Sequence, residues 1–280
     1  MILRDLLQLG YEKVAEFQKE KTAAKLLLAG MLDISQGDIF KRYQDEIAND
    51  KANNYLELLD LYIYDSVPIQ YLVGYTYFHG HKIAVDERVL IPRPETEYLV
   101  DKIIKKFPNN LKVLEIGTGS GAIAISLAKE KNYEIDATDI DKNALDVAKT
   151  NCRINQVDIN LIQSDFYENI FEKYDLIISN PPYVSEYDEI DESVLFEPET
   201  ALFSDNFGTA HLTTIISEGM NYLKPDGMII VEHGHLHGLF LHHFVNINFP
   251  EYRTFLLKDL QGKDRFTLIK RRKLVWSAAM

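Results

Sequence analysis

From Leu111 onward the chain alternates short apolar runs with amphipathic stretches, and the first run, Leu111–Ile116, leads straight into Gly117-Thr118-Gly119-Ser120-Gly121. An apolar run of that length, then glycines, then the helical pattern of Ala122–Lys129, reads as strand, tight turn and helix. The pattern continues. Glu134–Thr138, Ile159–Gln163, Tyr174–Ser179 and Met228–Val231 read as strands, and Ala144–Asn155, Leu212–Leu223 and Leu236–Asn246 as helices. Tyr252–Lys258 and Arg265–Lys270 close the chain as two further strands. Strands that alternate with helices predict an α/β fold, a doubly wound sheet covered on both faces.

The residues before this region follow a different period. Leu6, Leu7, Val14, Phe17, Ala24, Leu27 and Leu28 recur at helical intervals, as do Tyr55, Leu58, Leu59, Tyr62 and Ile63. Residues 1–75 are therefore expected to form a small all-helical domain of four or five short helices. Gln70–Val89 alternates around His79-Gly80-His81 and predicts a β-hairpin, with 76–90 as linker and 91–275 as the α/β domain.

With 280 residues, 46% of them apolar, the chain is long enough for two cored domains. The net charge of −13 argues against a surface that grips phosphates. A lone cysteine, Cys152, excludes an internal disulfide and reads as a small buried helical residue. Met1–Gly10 carries Arg4 and Asp5 among its leucines, and no apolar run reaches the ~20 residues of a membrane span. A cytoplasmic protein without membrane contact is expected.

Sheets of this kind bind ligands at the carboxyl ends of their strands, near the point where strand order reverses. Gly117–Gly121 spells G-x-G-x-G, a loop that lets a ligand approach the backbone. Asp139, about 20 residues on, stands where an acid can take both ribose hydroxyls of a nucleoside. It could equally cap the next helix, as could Asp141. Asp165 and Phe166 could meet an adenine amino group and ring face, although Phe166 also suits the core.

Asn180-Pro181-Pro182-Tyr183 ends the buried strand Asp175–Ser179. Two prolines stiffen the turn and remove two backbone donors, leaving outward carbonyls as acceptors. Asn180 adds a side-chain oxygen, and Tyr183 an aromatic face. Two acceptors, the Asn180 side-chain oxygen and the Pro181 carbonyl, suit a planar nitrogen with two N–H groups. They would hold it in line with a methyl donor and favour the charge that develops on it. The turn alone says only amide or amine.

These motifs resemble the class I S-adenosylmethionine-dependent methyltransferases, and more narrowly the HemK/PrmC family of release-factor glutamine N5-methyltransferases. Gln70–Gly74, Phe78-His79-Gly80, Leu90–Glu97, Phe196-Glu197-Pro198, Ala201-Leu202 and Glu232-His233-Gly234 extend the resemblance over nearly the whole length. It implies a Rossmann-like domain with a seven-stranded mixed sheet, preceded by the helical domain and the hairpin. It implies S-adenosylmethionine as cofactor, with S-adenosylhomocysteine as product. The acceptor it implies is the glutamine of the Gly-Gly-Gln motif in class 1 peptide chain release factors, docked by the helical domain. Gly117, Thr118, Gly119, Ser120, Gly121, Asp139, Phe166 and Asn180 would bind the cofactor. Asn180, Pro181, Pro182 and Tyr183 would bind the glutamine, with Asn180, Pro181 and Tyr183 catalytic. The family often has tryptophan where Phe166 stands, and Asp205–His211 is less glycine-rich than its usual counterpart.

Two further readings stand beside this one. The same turn serves adenine-N6 or guanine-N2 methylation of DNA or RNA, against which the charge and the missing basic domain count. A non-catalytic module that senses the cofactor or tethers a release factor is the other. Pro94, Glu95, Glu97 and Lys105-Lys106 suit the two ends of a helix, while Arg93 has no assigned role. No metal is expected: His233, His235, His237, His242 and His243 are loosely spaced and lack a thiol. Lys270–Lys273 reads as a solvated basic tail, and Val275–Met280 matches nothing in the family.

Overall fold

The computed structural model describes residues 1–272, so Lys273, the end of the expected 91–275 domain and the stretch Val275–Met280 lie outside it. The chain divides into two compact units. One comprises Met1–Thr76 with Val85–Glu87 and Ile190–Phe196; the other comprises Tyr77–Ala84, Arg88–Glu189 and the chain from Glu197.

The first unit contains α1 (Leu3–Glu16), α2 (Lys21–Met31), a 3₁₀ turn (Asp38–Arg42), α3 (Asn49–Tyr64) and α4 (Ile69–Val73). Leu3, Leu6, Leu7, Val14, Ala24, Leu27, Leu28, Tyr55 and Leu59 are buried in one cluster. They repeat at three- and four-residue spacings, so each helix turns one apolar stripe inward. Phe17 departs from the expectation. It lies past the end of α1, is 41% exposed, and sets its ring edge-on to Tyr64 at 5.0 Å. Gln70–Val73 also differs from the strand reading. The chain takes one helical turn there, entered from Pro68 and stopped by Gly74 at φ 82°. The alternating tyrosines imitate a strand before the backbone becomes one at β1 (Tyr75–Phe78), which pairs with β2 (His81–Ala84).

The second unit holds α5 (Pro94–Lys106), β3 (Lys112–Ile116), α6 (Ala122–Glu130), β4 (Glu134–Asp139), α7 (Lys142–Asn155), β5 (Asn160–Gln163) and β6 (Tyr174–Ser179). It continues through the short α8 (Glu199–Leu202) and α9 (Asp205–Gly208), then α10 (Ala210–Gly219), β7 (Leu223–Glu232), α11 (His237–Asn248), β8 (Tyr252–Lys258) and β9 (Asp264–Arg271). The seven strands are ordered β5-β4-β3-β6-β7-β9-β8. Those from β3 to β7 run parallel, and β9 is antiparallel to both β7 and β8, so the sheet is mixed as expected. The order reverses between β3 and β6, which places a ligand crevice at the carboxyl ends of those two strands.

β7 starts five residues earlier than its sequence suggests, because Lys224-Pro225-Asp226-Gly227 reads as a turn. The strand carries that stretch partly exposed, across a register irregularity facing Tyr174 and Leu176. On α7, Asn151 Nδ2 donates to the carbonyls of Ala84 and Ser120, and Asn151 Oδ1 accepts the Ala84 N–H. One buried amide thereby ties strand β2 and the glycine loop to the same helix. No helix among the described residues is long and apolar enough to cross a membrane.

Candidate active site

The register explains how separate motifs meet. Ile116 pairs with Ser179 on one side and Thr138 on the other, so Gly117, Asn180 and Asp139 leave the sheet side by side. A single cavity is lined by Gly117, Thr118, Gly119, Ser120, Asp139, Asp165, Phe166, Asn180, Pro181 and Pro182. Thr96 and His211 share the same wall. Gly121 and Tyr183 are not among its lining residues.

The loop conformation is built from its own residues. Gly117 and Gly119 have φ of 70° and 53°, and a Cβ on either would point into open space. The demand there is conformational, and the space beside the backbone is free for a ligand. Gly121 serves packing: a Cβ would come within 3.3 Å of Ala148 Cβ and Ile125 Cδ1, where α6 crosses α7.

Glu115, buried in β3, holds both ends of the loop. Its Oε2 accepts from the Thr118 hydroxyl at 2.9 Å and the Ala124 N–H at 3.0 Å. Burial pushes its carboxyl up to about 8. Asp139 accepts the Gly119 N–H at 2.8 Å and the Asp141 N–H at 3.0 Å. Burial raises its carboxyl, against those bonds. Asp141, not Asp139, caps α7 by accepting the Asn143 N–H. Of the two acids that could cap the helix, Asp141 does so, and both line the cavity.

Phe166 sits in the left-handed region at φ 43°. Ser164 braces that conformation: its hydroxyl donates to the Phe166 carbonyl and accepts the Asn169 N–H. The Phe166 ring stands 5.7 Å from the ring of His211, whose Nδ1 bonds the Ser204 hydroxyl at 2.7 Å. His211 gave no signal in the sequence, since its approach to Phe166 depends on how α10 folds back.

At the Asn-Pro-Pro-Tyr turn, the Asn180 amide donates through Nδ2 to Thr96 Oγ1 at 3.2 Å. The Thr96 hydroxyl donates in turn to Glu232 Oε2 at 2.7 Å. Tyr183 directs its hydroxyl to Glu232 Oε1 at 3.4 Å and its ring edge-on to His237. Glu232 ends β7 and is 1% exposed; burial pushes its carboxyl up to about 7. Neither Thr96 nor Glu232 was assigned a role from the sequence, although both stand inside motifs that carry the resemblance. Glu115 and Glu232 shared one readable signal, a charge at the end of an apolar strand.

Arg93 acquires a partner. Its Nη2 meets Glu197 Oε1 at 2.6 Å, and Glu197 Oε2 accepts the Ile91 N–H at 3.0 Å. Pro94 opens α5, with Glu95 and Glu97 in its first turn and Lys105 and Lys106 in its last. The His233 ring is engaged at both nitrogens, by the Gly234 carbonyl and the Thr267 hydroxyl. Burial holds its imidazole down at about 4. Cys152 is buried on α7, and burial pushes its thiol up to about 11.

The sequence profile of the PrmC N-terminal domain matches residues 5–74, and that of the methyltransferase small domain matches 94–206. The release factor glutamine methyltransferase of Streptococcus pneumoniae is 37% identical over 263 residues, covering 92% of this chain and 94% of that protein. The enzyme of the same name from Lactococcus lactis is 43% identical over 213 residues, covering 74% of this chain and 79% of that one. Among solved structures, a methyltransferase from Pyrococcus furiosus matches in fold with a TM-score of 0.54 at 20% identity, covering 69% of this chain and 89% of that one. With both domains matched in order and identity above 30% held across nearly the full length, this chain belongs to the family of release factor glutamine methyltransferases.

Proposed function

We propose that the protein transfers a methyl group from S-adenosylmethionine to the side-chain amide nitrogen, N5, of the glutamine in the Gly-Gly-Gln motif of class 1 release factors. The observation that carries this reading is the placement of Asn180 and Pro181 beside the glycine loop at the reversal point of the sheet. The cavity suits the cofactor. The loop leaves its backbone uncovered at Gly117 and Gly119, Asp139 lies on the wall, and Phe166 offers a ring face. Gly117–Ser120, Asp139, Phe166 and Asn180 are the residues that would hold it, with Gly121 shaping the loop from behind.

Bound S-adenosylmethionine supplies an electrophilic methyl on a sulfonium. The protein residues supply orientation. An amide nitrogen is a weak nucleophile because its lone pair is delocalised into the carbonyl. Asn180 Oδ1 and the Pro181 carbonyl would each accept one of its two N–H groups and turn the nitrogen toward the methyl. Both acceptors interact more strongly as positive charge develops on nitrogen, so they favour the transition state over the ground state. The proton leaves after transfer, and no strong base is needed beforehand. The product amide retains one N–H for two acceptors, so a second methylation is disfavoured. Pro182 stiffens the turn, and Tyr183, braced on Glu232, would border the glutamine side chain.

The helical unit would dock the release factor. Contact with nucleic acid is not part of this reading, given the net charge of −13. An acceptor that works in translation supports a cytoplasmic protein. Labelled cofactor offered together with a class 1 release factor, DNA and RNA should leave its label in the protein fraction alone. Label in nucleic acid, with the release factor unlabelled, would select the adenine or guanine reading instead.

A further inference from the structure

We propose that Thr96 and Glu232 are positioning residues that fix the Asn180 amide with its oxygen toward the acceptor, and that this lock makes the site select a carboxamide over a carboxylate. The proposal rests on the function given above.

An asparagine amide has two faces of opposite chemistry, and rotation by 180° exchanges an acceptor for a donor at nearly the same position. Which face meets the substrate is decided by what the other face meets. Here the other face meets Thr96 Oγ1 at 3.2 Å. A hydroxyl could serve either face, since it donates once and accepts as well. Thr96 has lost that freedom, because its single proton is directed at Glu232 Oε2, 2.7 Å away. Thr96 Oγ1 can therefore only accept from Asn180, which must present Nδ2 inward. Its Oδ1 is left facing outward, toward the place of the reacting nitrogen.

The lock does not require Glu232 to be ionised. Protonated on Oε1, the carboxyl still accepts from Thr96 through Oε2. Groups on three other elements face Glu232. Tyr183 reaches it from the turn, Arg265 on β9 acts on it as a positive charge, and Glu95 on α5 as a negative one. Thr96 is 4% exposed and Glu232 1%, so water does not compete for these bonds. The network also polarises Asn180, because an amide that donates to a hydroxyl which itself donates onward accepts more strongly at its oxygen.

The consequence concerns specificity. Glutamine and glutamate have the same shape, so a pocket cannot separate them by size. Two fixed acceptors separate them by polarity. A carboxamide fills both, whereas a carboxylate sets its own lone pairs against both. A free asparagine would lose half of that discrimination by rotating to offer its NH₂.

The test compares the full-length protein with Thr96→Val, Thr96→Ser and Glu232→Leu, using a release factor as substrate and the same factor with its Gly-Gly-Gln glutamine changed to glutamate as competitive inhibitor. The ratio of the two factors' dissociation constants, glutamate form over glutamine form, each measured with S-adenosylhomocysteine in place of the methyl donor, cancels the shared docking contacts and compares the side chains. Cofactor-binding isotherms establish that each variant is folded. In Thr96→Val the ratio should fall by about tenfold or more, the scale of one buried polar group re-paired. Turnover should fall too, by up to about 100-fold, because the nitrogen is no longer held in line. Glu232→Leu frees the Thr96 proton and should lower the ratio likewise. Thr96→Ser keeps the hydroxyl and should restore it to within about threefold of the parent. Loss of turnover in Thr96→Val with an unchanged ratio would overturn the proposal and leave Thr96 a merely structural residue. Failure of the parent protein to methylate any release factor while it binds cofactor would instead bring down the function on which the proposal rests, and the proposal with it.

Discussion

Every buried polar or charged side chain outside the aromatic residues, from Thr96 and Glu115 to Glu232, His233 and Thr267, lies in the sheet unit among the described residues. The interior of the helical unit is leucine, isoleucine, valine, alanine and tyrosine, where the Tyr55 hydroxyl donates to the Ala24 carbonyl. A buried carboxyl costs several kcal/mol unless it is bonded, and Glu115 and Glu232 are both bonded and raised by burial. The sheet unit retains such groups where they hold the glycine loop and the Asn-Pro-Pro-Tyr turn. The helical unit carries neither the glycine loop nor the Asn-Pro-Pro-Tyr turn, and its core is apolar. The contrast separates residues that hold the fold from residues that hold a geometry.

That contrast can be broken at its sharpest point first. Asn180→Ala should lower turnover by about 100- to 1000-fold, the scale of a lost transition-state acceptor, while the melting temperature barely moves. Turnover within tenfold of the parent would remove Asn180 from the chemistry. In the helical unit the expectation reverses. Leu27→Ala, at a fully buried position, should cost about 3 kcal/mol in denaturant unfolding. Cofactor affinity measured below the unfolding transition should stay unchanged, and a parallel loss of affinity would show that the two cores are not separable in role.

A third measurement uses pH. Glu115 has a folded value of about 8, above its ordinary 4.5, so the folded state binds the extra proton between them. Stability conferred by the protonated form is fully present below about pH 4.5 and is lost as pH rises through 8. Glu115→Gln keeps both accepted bonds and removes the titration. The parent should therefore lose stability relative to this variant across that window, by up to about 5 kcal/mol. A pH-independent difference would contradict the burial argument. The smallest effect is expected at the helix cap. Asp141→Ala should cost about 1 kcal/mol through the lost cap and weaken cofactor binding less than Asp139→Ala does. A loss of affinity in Asp141→Ala equal to that in Asp139→Ala would contradict this ranking.

Much of this architecture was legible because short apolar runs and glycines report on local backbone. All seven strands of the main sheet and the helix from Pro94 follow from such patterns. Phe17 and the turn at Ile69–Val73 did not, since side-chain period identifies a face but not where the helix stops. At the site, Gly117, Asp139 and Asn180 could be placed together because sheet rules bring strand ends to one edge. Thr96 and Glu232 could not, being 136 residues apart in sequence and joined only by folding. A single sequence shows that Val231 is followed by a charge; it does not show what that charge touches.

The site, as proposed, methylates one carboxamide nitrogen once. Mass spectrometry of a class 1 release factor after exhaustive incubation with the protein and S-adenosylmethionine tests it most directly. A single added methyl is expected on the side-chain nitrogen of the Gly-Gly-Gln glutamine, with no dimethylated product. A methyl on any other residue, or two methyls on that nitrogen, would contradict it.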